Sequence, residues 1–275
     1  MEQIETGSFS PPDSTGGPTS FRVVSWNIAR GSKLNAVIEF LATANADIIL
    51  LQEVDRNARR TNYWNVAKEI AQKLRMNYIF GCEFEELAEG TRASPAYHGQ
   101  ATLSRWPLFD SSILRFYSQS NFWQPRWFTP ALGPLQRRRG GRMALFSKAL
   151  ILGRTVATYN LHCESKGGDD LRSSQLQEFL KDAKSYTVDL PVLAAGDFNL
   201  DLSQGQAATA LADLGFVNPF GTLRQATSVS HSRSSPDRII DWILFRGPLV
   251  GTNPEVHSSV AGSDHYPLSL TVSFS

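Results

Sequence analysis

The stretch Asp47-Ile48-Ile49-Leu50-Leu51 constrains the fold more than any other in this chain. So short an unbroken apolar run reads as a strand covered on both faces, which requires a layered structure with other elements packed above and below it. The same rhythm recurs along the chain. Phe21 to Trp26 is a short β-branched run, followed by Leu34, Val37, Ile38 and Leu41 on one face of a helix. Val66, Ile70 and Leu74 mark a second helix, and Leu176, Phe179, Leu180 and Ala183 a third. Ala207, Leu211 and Leu214 mark a fourth, with Gly215 as its stop. Further strands are expected at Tyr78 to Cys82, Gln100 to Ser104, Ala144 to Leu152, Thr155 to Leu161, Val192 to Ala195, Ile239 to Phe245 and Leu268 to Val272. These are too many for one open sheet with a helix between every pair. The segments meeting at Gly153-Arg154 read as a hairpin, and mixed sheets packed face to face with helices outside is the economical architecture.

Polar residues sit where these strands end. Asn27 follows the first strand, Glu53 the second, His162 a third, and Asp197 and Asn199 a fourth. Asp241 lies inside a fifth, and Asp264 and His265 precede the last. One carboxylate at a strand end is ordinarily a turn residue or a helix cap. A whole series, brought to one edge of the sheets, forms a cleft of oxygen donors of the kind that Mg²⁺ takes. There is no Cys/His spacing of the zinc type and no GxxxxGK[ST] loop for a nucleoside triphosphate.

The ordered set Ser-Trp-Asn27, Leu-Gln-Glu53-Val-Asp, Asn-Leu-His162, Gly-Asp197-Phe-Asn199, Ile-Asp241-Trp-Ile and Ser-Asp264-His265-Tyr-Pro closely resembles the endonuclease/exonuclease/phosphatase family of DNase-I-like hydrolases. His98-Gly99-Gln100-Ala101-Thr102-Leu103-Ser104-Arg105 adds a further match. The resemblance implies a four-layer α/β/β/α sandwich with two mixed sheets face to face. It also implies Mg²⁺- or Mn²⁺-dependent hydrolysis of a phosphoester by an activated water. Glu53 would be the chief metal ligand, with Asn27 and Asp264 beside it. Asp197 would be the general base, and Asn199 would hold the water or a phosphate oxygen. His265, fixed by Asp241, and His162 would serve the phosphate or the leaving group. Family substrates divide among DNA, RNA, inositol phosphates and sphingomyelin-like lipids. The nuclease or general phosphodiesterase branch is preferred, with inositol phosphates or sphingomyelin-like lipids as the alternative. A non-catalytic binding module is disfavoured because each catalytic position holds a competent residue.

Asp55 and Asp201, each two residues beyond a motif carboxylate, are expected to be exposed or to support the site from behind. Glu164 shares a strand face with His162. His98, His231 and His257 are expected at the surface.

Between Phe116 and Phe128 aromatic residues cluster without helical or strand periodicity, and Arg137-Arg138-Arg139-Gly140-Gly141-Arg142 follows. One reading is a loop plugged by its own aromatics with its arginines in solvent. The other is a substrate-facing loop in which Trp123, Trp127, Arg137, Arg139 and Arg142 stack on and grip the substrate.

The full 275 residues carry a formal charge of +1, which neither demands nor excludes a polyanionic partner. Residues 1–20, rich in Ser, Thr, Pro and Gly, read as a disordered leader, and residues 21–275 as a single catalytic domain, expected to be monomeric. Cys82 and Cys163 are expected as reduced thiols. Without a signal core or an apolar span, the expected location is cytoplasmic.

Overall fold

The structure is a computed structural model, and it describes residues 4–11, 19–120, 122, 138–229 and 237–275. Strands β1 (Ile4–Gly7), β2 (Ser20–Arg30), β3 (Ile48–Arg56), β4 (Asn77–Glu86) and β5 (Tyr97–Ser104) enter the first sheet. They are joined there by β7 (Arg138–Gly140), β12 (Leu249–Val256) and β13 (Leu268–Phe274). Its order is β1-β4-β5-β3-β2-β13-β12, with β7 paired on β4. The second sheet runs β11-β10-β9-β8-β6, from β6 (Leu108–Arg115), β8 (Met143–Ile151), β9 (Arg154–His162), β10 (Val192–Asp197) and β11 (Asp241–Arg246).

Side-chain alternation assigns the faces. In β2 and β3, Val24, Trp26, Ile49 and Leu51 pack with Leu34, Val37 and Leu41 of α1 (Leu34–Ala44) and with Val66 and Ile70 of α2 (Val66–Leu74). Their neighbours Val23, Ile48 and Leu50 belong to the core shared with the second sheet. On the far side of that sheet lie Leu176, Phe179 and Leu180 of α3 (Asp169–Lys184) and Leu211 of α4 (Gly205–Asp213). Helix, sheet, sheet, helix is the expected four-layer order, and the continuous apolar run at Ile48 is indeed covered on both faces.

A polar tie crosses the sheet interface close to the edge that carries the motifs. Gln52 Nε2 donates to Asn160 Oδ1 at 2.7 Å, and Asn160 Nδ2 donates to the carbonyls of Leu51 and Ala101 at 3.0 and 2.9 Å. A buried amide pair of this kind fixes the register of one sheet on the other, because any slip leaves buried groups unpaired.

Three details differ from the expectations. The leader is not wholly without structure, since Ile4–Gly7 pairs antiparallel with Tyr78–Gly81 and covers an edge that β4 would otherwise expose. The hairpin turn falls at Leu152 (φ 49°) and Gly153 (φ 77°), one residue before the expected place, as a two-residue turn with both φ positive. Strands β6 and β12 carry mixed burial and lack a clean apolar signal. Cys82 and Cys163 are both free and buried.

Candidate active site

The row of candidate residues is a consequence of strand register. In the second sheet Asp197 of β10 stands directly opposite His162 of β9 on one side and Asp241 of β11 on the other. Three adjacent strands therefore offer three candidate side chains in one line. Gly196 makes this line possible. It has φ 149°, and a Cβ there would lie 1.9 Å from the Leu161 carbonyl oxygen, so β9 and β10 approach this closely only with glycine before Asp197.

The first sheet faces this row with Asn27. Its Nδ2 donates to Asp197 Oδ2 at 3.2 Å, and its Oδ1 accepts the Ala29 N–H at 3.2 Å. Ala29 (φ 45°) and Arg30 (φ 72°) then turn the chain out of β2. Glu53 sits at an irregularity in β3, where pairing with β5 shifts register between Leu51 and Val54, and its φ is 52°. A left-handed glutamate is strained, and such strain is retained where a side chain must be re-aimed. Burial acts to raise the Glu53 pKa, but the charges of His98, His162, Arg30 and Arg142 outweigh it and bring it down to about 2.

His265 completes the site. Its Nδ1 lies 2.9 Å from Asp241 Oδ2, its Nε2 lies 3.8 Å from Asp197 Oδ2, and its carbonyl accepts from Trp26 Nε1 at 2.9 Å. Burial works against the imidazolium, yet Asp241, Asp197 and Asp264 raise the His265 pKa to about 10. Asp241 is itself held by Thr227, whose Oγ1 donates at 2.7 Å and accepts the N–H groups of Ile240 and Asp241 at 3.0 and 3.1 Å. Asn199 (φ 50°) gives its N–H to Asp197 Oδ1 at 2.9 Å and its Nδ2 to the Cys163 carbonyl at 3.3 Å. Asp264 accepts from Ser263 Oγ at 3.1 Å.

His162 has two partners that the sequence does not announce. Its Nδ1 is 3.1 Å from Glu83 Oε2, and Arg142 Nη1 lies 2.8 Å from its Nε2 while donating to Glu83 Oε1 at 2.7 Å. The arrangement that serves all three groups has Nδ1–H donating to Glu83 and Nε2 accepting from Arg142 Nη1, with Asp197 Oδ2 3.7 Å from Nε2. Glu83 is fully buried. Burial raises its pKa, and the charges of His162 and Arg142 more than reverse this, holding the carboxyl well below the usual range. A register shift in β4 between Cys82 and Phe84 lies at Glu83, an effect that alternation along the strand cannot reveal.

Several expectations need correction. Arg142 is not a loop arginine in solvent: it is 3% exposed and belongs to the His162–Glu83 cluster, with Ser165 Oγ accepting from its Nη2 at 3.0 Å. Arg139 is ion-paired with Glu85 on the β4–β7 ladder. Trp123, Trp127 and Arg137 lie outside the described residues, as does His231. Phe116 is core, while Tyr117 and Phe122 are exposed. His98 is buried, with Nδ1 2.8 Å from Asp55 Oδ1, and Arg60 grips the same carboxylate with two bonds of 2.6 and 2.8 Å. Asp55 is accordingly inside rather than exposed, and its pKa is lowered because the bonds from Arg60 and His98 exceed the cost of burial. Glu164 is buried and accepts from Ser120 Oγ at 2.8 Å.

The residues were tested for a divalent cation. Asp197, Asp241 and His265 bring one donor atom each within 4.8 Å of one another. In the structure His265 Nδ1 lies 2.9 Å from Asp241 Oδ2, and Asp241 also accepts from Thr227 Oγ1 at 2.7 Å, so this trio is already joined as a hydrogen-bonded acid–base group. Glu53, ionised throughout the working range and accompanied by the Asn27 amide, has the hard oxygen chemistry that Mg²⁺ or Mn²⁺ takes.

The fold and this row of groups define a phosphoester hydrolase of the DNase-I-like class. A profile of the Endonuclease/Exonuclease/phosphatase family matches residues 24–265, and the chain belongs to that family, whose members are generally divalent-metal-dependent. It is 27% identical over 183 residues to an inositol phosphosphingolipids phospholipase C of Schizosaccharomyces pombe, a match that spans 62% of this chain and 37% of that protein. The chain thus corresponds to little more than a third of that relative's length. Among solved structures, the human Nocturnin catalytic domain with a bound sulfate anion superposes with a TM-score of 0.68 at 16% identity, covering 100% of this chain and 98% of that one. An endonuclease/exonuclease/phosphatase from Beutenbergia cavernae gives a TM-score of 0.66 at 17% identity, covering 94% and 72%.

Proposed function

We propose that this chain hydrolyses a phosphodiester with Mg²⁺ or Mn²⁺, through a water activated by Asp197. The observation that carries the reading is the position of Asp197, whose Oδ2 lies 3.2 Å from Asn27 Nδ2, 3.7 Å from His162 Nε2 and 3.8 Å from His265 Nε2. A carboxylate that accepts from Asn27 across the two sheets and faces both histidines is suited to take a proton from water at a phosphorus bound beside it. His265, charged and held by Asp241, donates to a non-bridging oxygen as negative charge builds there. His162, with its Nδ1 on Glu83, presents Nε2 to the phosphate or to the leaving oxygen. Asn199 orients Asp197 through its backbone N–H. The metal would be held by Glu53 with Asn27 and Asp264, and when bound it would supply Lewis-acid polarisation of a phosphoryl oxygen.

For the substrate we propose nucleic acid first. The likeness to a sphingolipid phospholipase C supports a second reading, an inositol phosphosphingolipid. A hydrolysis panel with Mg²⁺, Mn²⁺ and EDTA tests both. It contains single- and double-stranded DNA, RNA, bis-p-nitrophenyl phosphate, inositol phosphates, inositol phosphosphingolipid and sphingomyelin. Turnover with a metal and none in EDTA is expected; no turnover of any substrate with either metal refutes the proposal.

A further inference from the structure

A cavity of about 600 Å³ opens beside the row of candidate residues, and Arg30, Ser32, Lys33, Ser258, Ser263 and Asp264 are among its lining residues. One wall is the turn by which the chain leaves β2, three residues past Asn27. The other is the segment between β12 and β13 that carries His265. The two sites share a boundary: Asp264 precedes His265, and Ser263 Oγ accepts the His265 N–H at 3.2 Å.

Several arginines inside or partly inside the fold are matched with carboxylates, as Arg60 with Asp55, Arg142 with Glu83 and Arg172 with Asp169. Arg30 and Lys33 differ. Both are exposed, and among the described residues neither side chain has a hydrogen-bond or ion-pair partner. The charge of Arg30 is nevertheless felt at Glu53. Lys33 stands at the start of α1, which has no side-chain cap, so the positive end of that helix adds to the field. Two unmatched cations and several hydroxyls suit a phosphate, which takes both point charges and hydrogen bonds. They do not suit a quaternary ammonium group, which needs an aromatic cage, whereas among the described residues the aromatic lining is Tyr266 alone.

We propose that this cavity binds a second phosphate of the substrate, adjacent to the scissile one, with Arg30 and Lys33 as its counter-ions. The inference rests on the phosphoester-hydrolase reading for the position of the first phosphate. It narrows the substrate to a molecule with at least two phosphates.

The test is calorimetric titration of the whole chain in Mg²⁺ with thymidine 3′,5′-bisphosphate and with thymidine 5′-monophosphate, checking by chromatography that each ligand stays intact. The bisphosphate should bind the parent at least about tenfold more tightly than the monophosphate, on the scale of one charge-assisted contact. The Arg30→Ala/Lys33→Ala variant should lose that advantage and keep its monophosphate affinity, while Arg30→Lys/Lys33→Arg keeps the advantage. Equal affinities in the parent, or an advantage that survives Arg30→Ala/Lys33→Ala in a protein with unchanged melting, overturns the inference. The hydrolysis panel fails or succeeds separately. Discrimination without turnover removes the hydrolase reading alone, and turnover without discrimination removes the second-phosphate site alone.

Discussion

Asn27 and Asp197, separated by 170 positions in the chain, meet across the two sheets at 3.2 Å. The amide donates to the oxygen that also faces both histidines, and with the Asn199 N–H on the other oxygen it orients the carboxylate on which the proposed chemistry turns.

Asp197→Ala should therefore reduce kcat by about 10²–10⁴, the usual contribution of a positioned general base, with little change in KM. Steady-state kinetics on the best substrate of the panel measures this. A loss below about tenfold would assign the proton transfer to another group.

Asp241→Asn should shift the pH profile. In the parent, His265 titrates at about 10 instead of its ordinary 6.5. The stability that its charge provides is complete below about 6.5 and is lost as pH rises through about 10. Removing the Asp241 charge lowers the His265 pKa, so the alkaline limb of kcat should move to lower pH by about 1–3 units. The pH–rate profile, with NMR titration of the imidazole, measures the shift; an unmoved limb would mean that His265 is not the group titrating there.

Glu53→Gln should weaken apparent Mg²⁺ affinity by at least about tenfold, since even outer-shell partners of a metal are typically worth that much. The readout is the metal concentration at half-maximal rate. An unchanged value would remove Glu53 from the metal site.

Arg142→Met should destabilise the fold by about 3–5 kcal/mol, because it leaves the buried Glu83 carboxylate without its cation. The double variant Arg142→Met/Glu83→Gln should recover part of this. Urea unfolding of the single and double variants separates a structural pair from a purely catalytic one.

Much of the site can be read in the sequence because register is simple where strands are regular. His162 and Asp197 end their strands and Asp241 opens the antiparallel neighbour, so register brings the three side by side at one sheet edge. Glu83 and Arg142 are hidden for the opposite reason. The first lies at a register shift, and the second follows two glycines that resemble a loop. Thr227 lies in a stretch without periodicity, so its three bonds at Asp241 leave no trace in the pattern. His98 looked superficial because its partner Asp55 belongs to another strand, and the β3–β5 pairing that joins them is long-range.

Strand β13 pairs with β2 across almost the whole chain, Leu268 opposite Ser25, and His265 stands just before it. The first sheet therefore joins the two ends of the described fold, and His265 is the last of the candidate site residues along the sequence. A chain ending between Val256 and Asp264 would keep Glu53, Asp197 and Asp241 yet lack both the imidazole of His265 and the strand that pairs with β2.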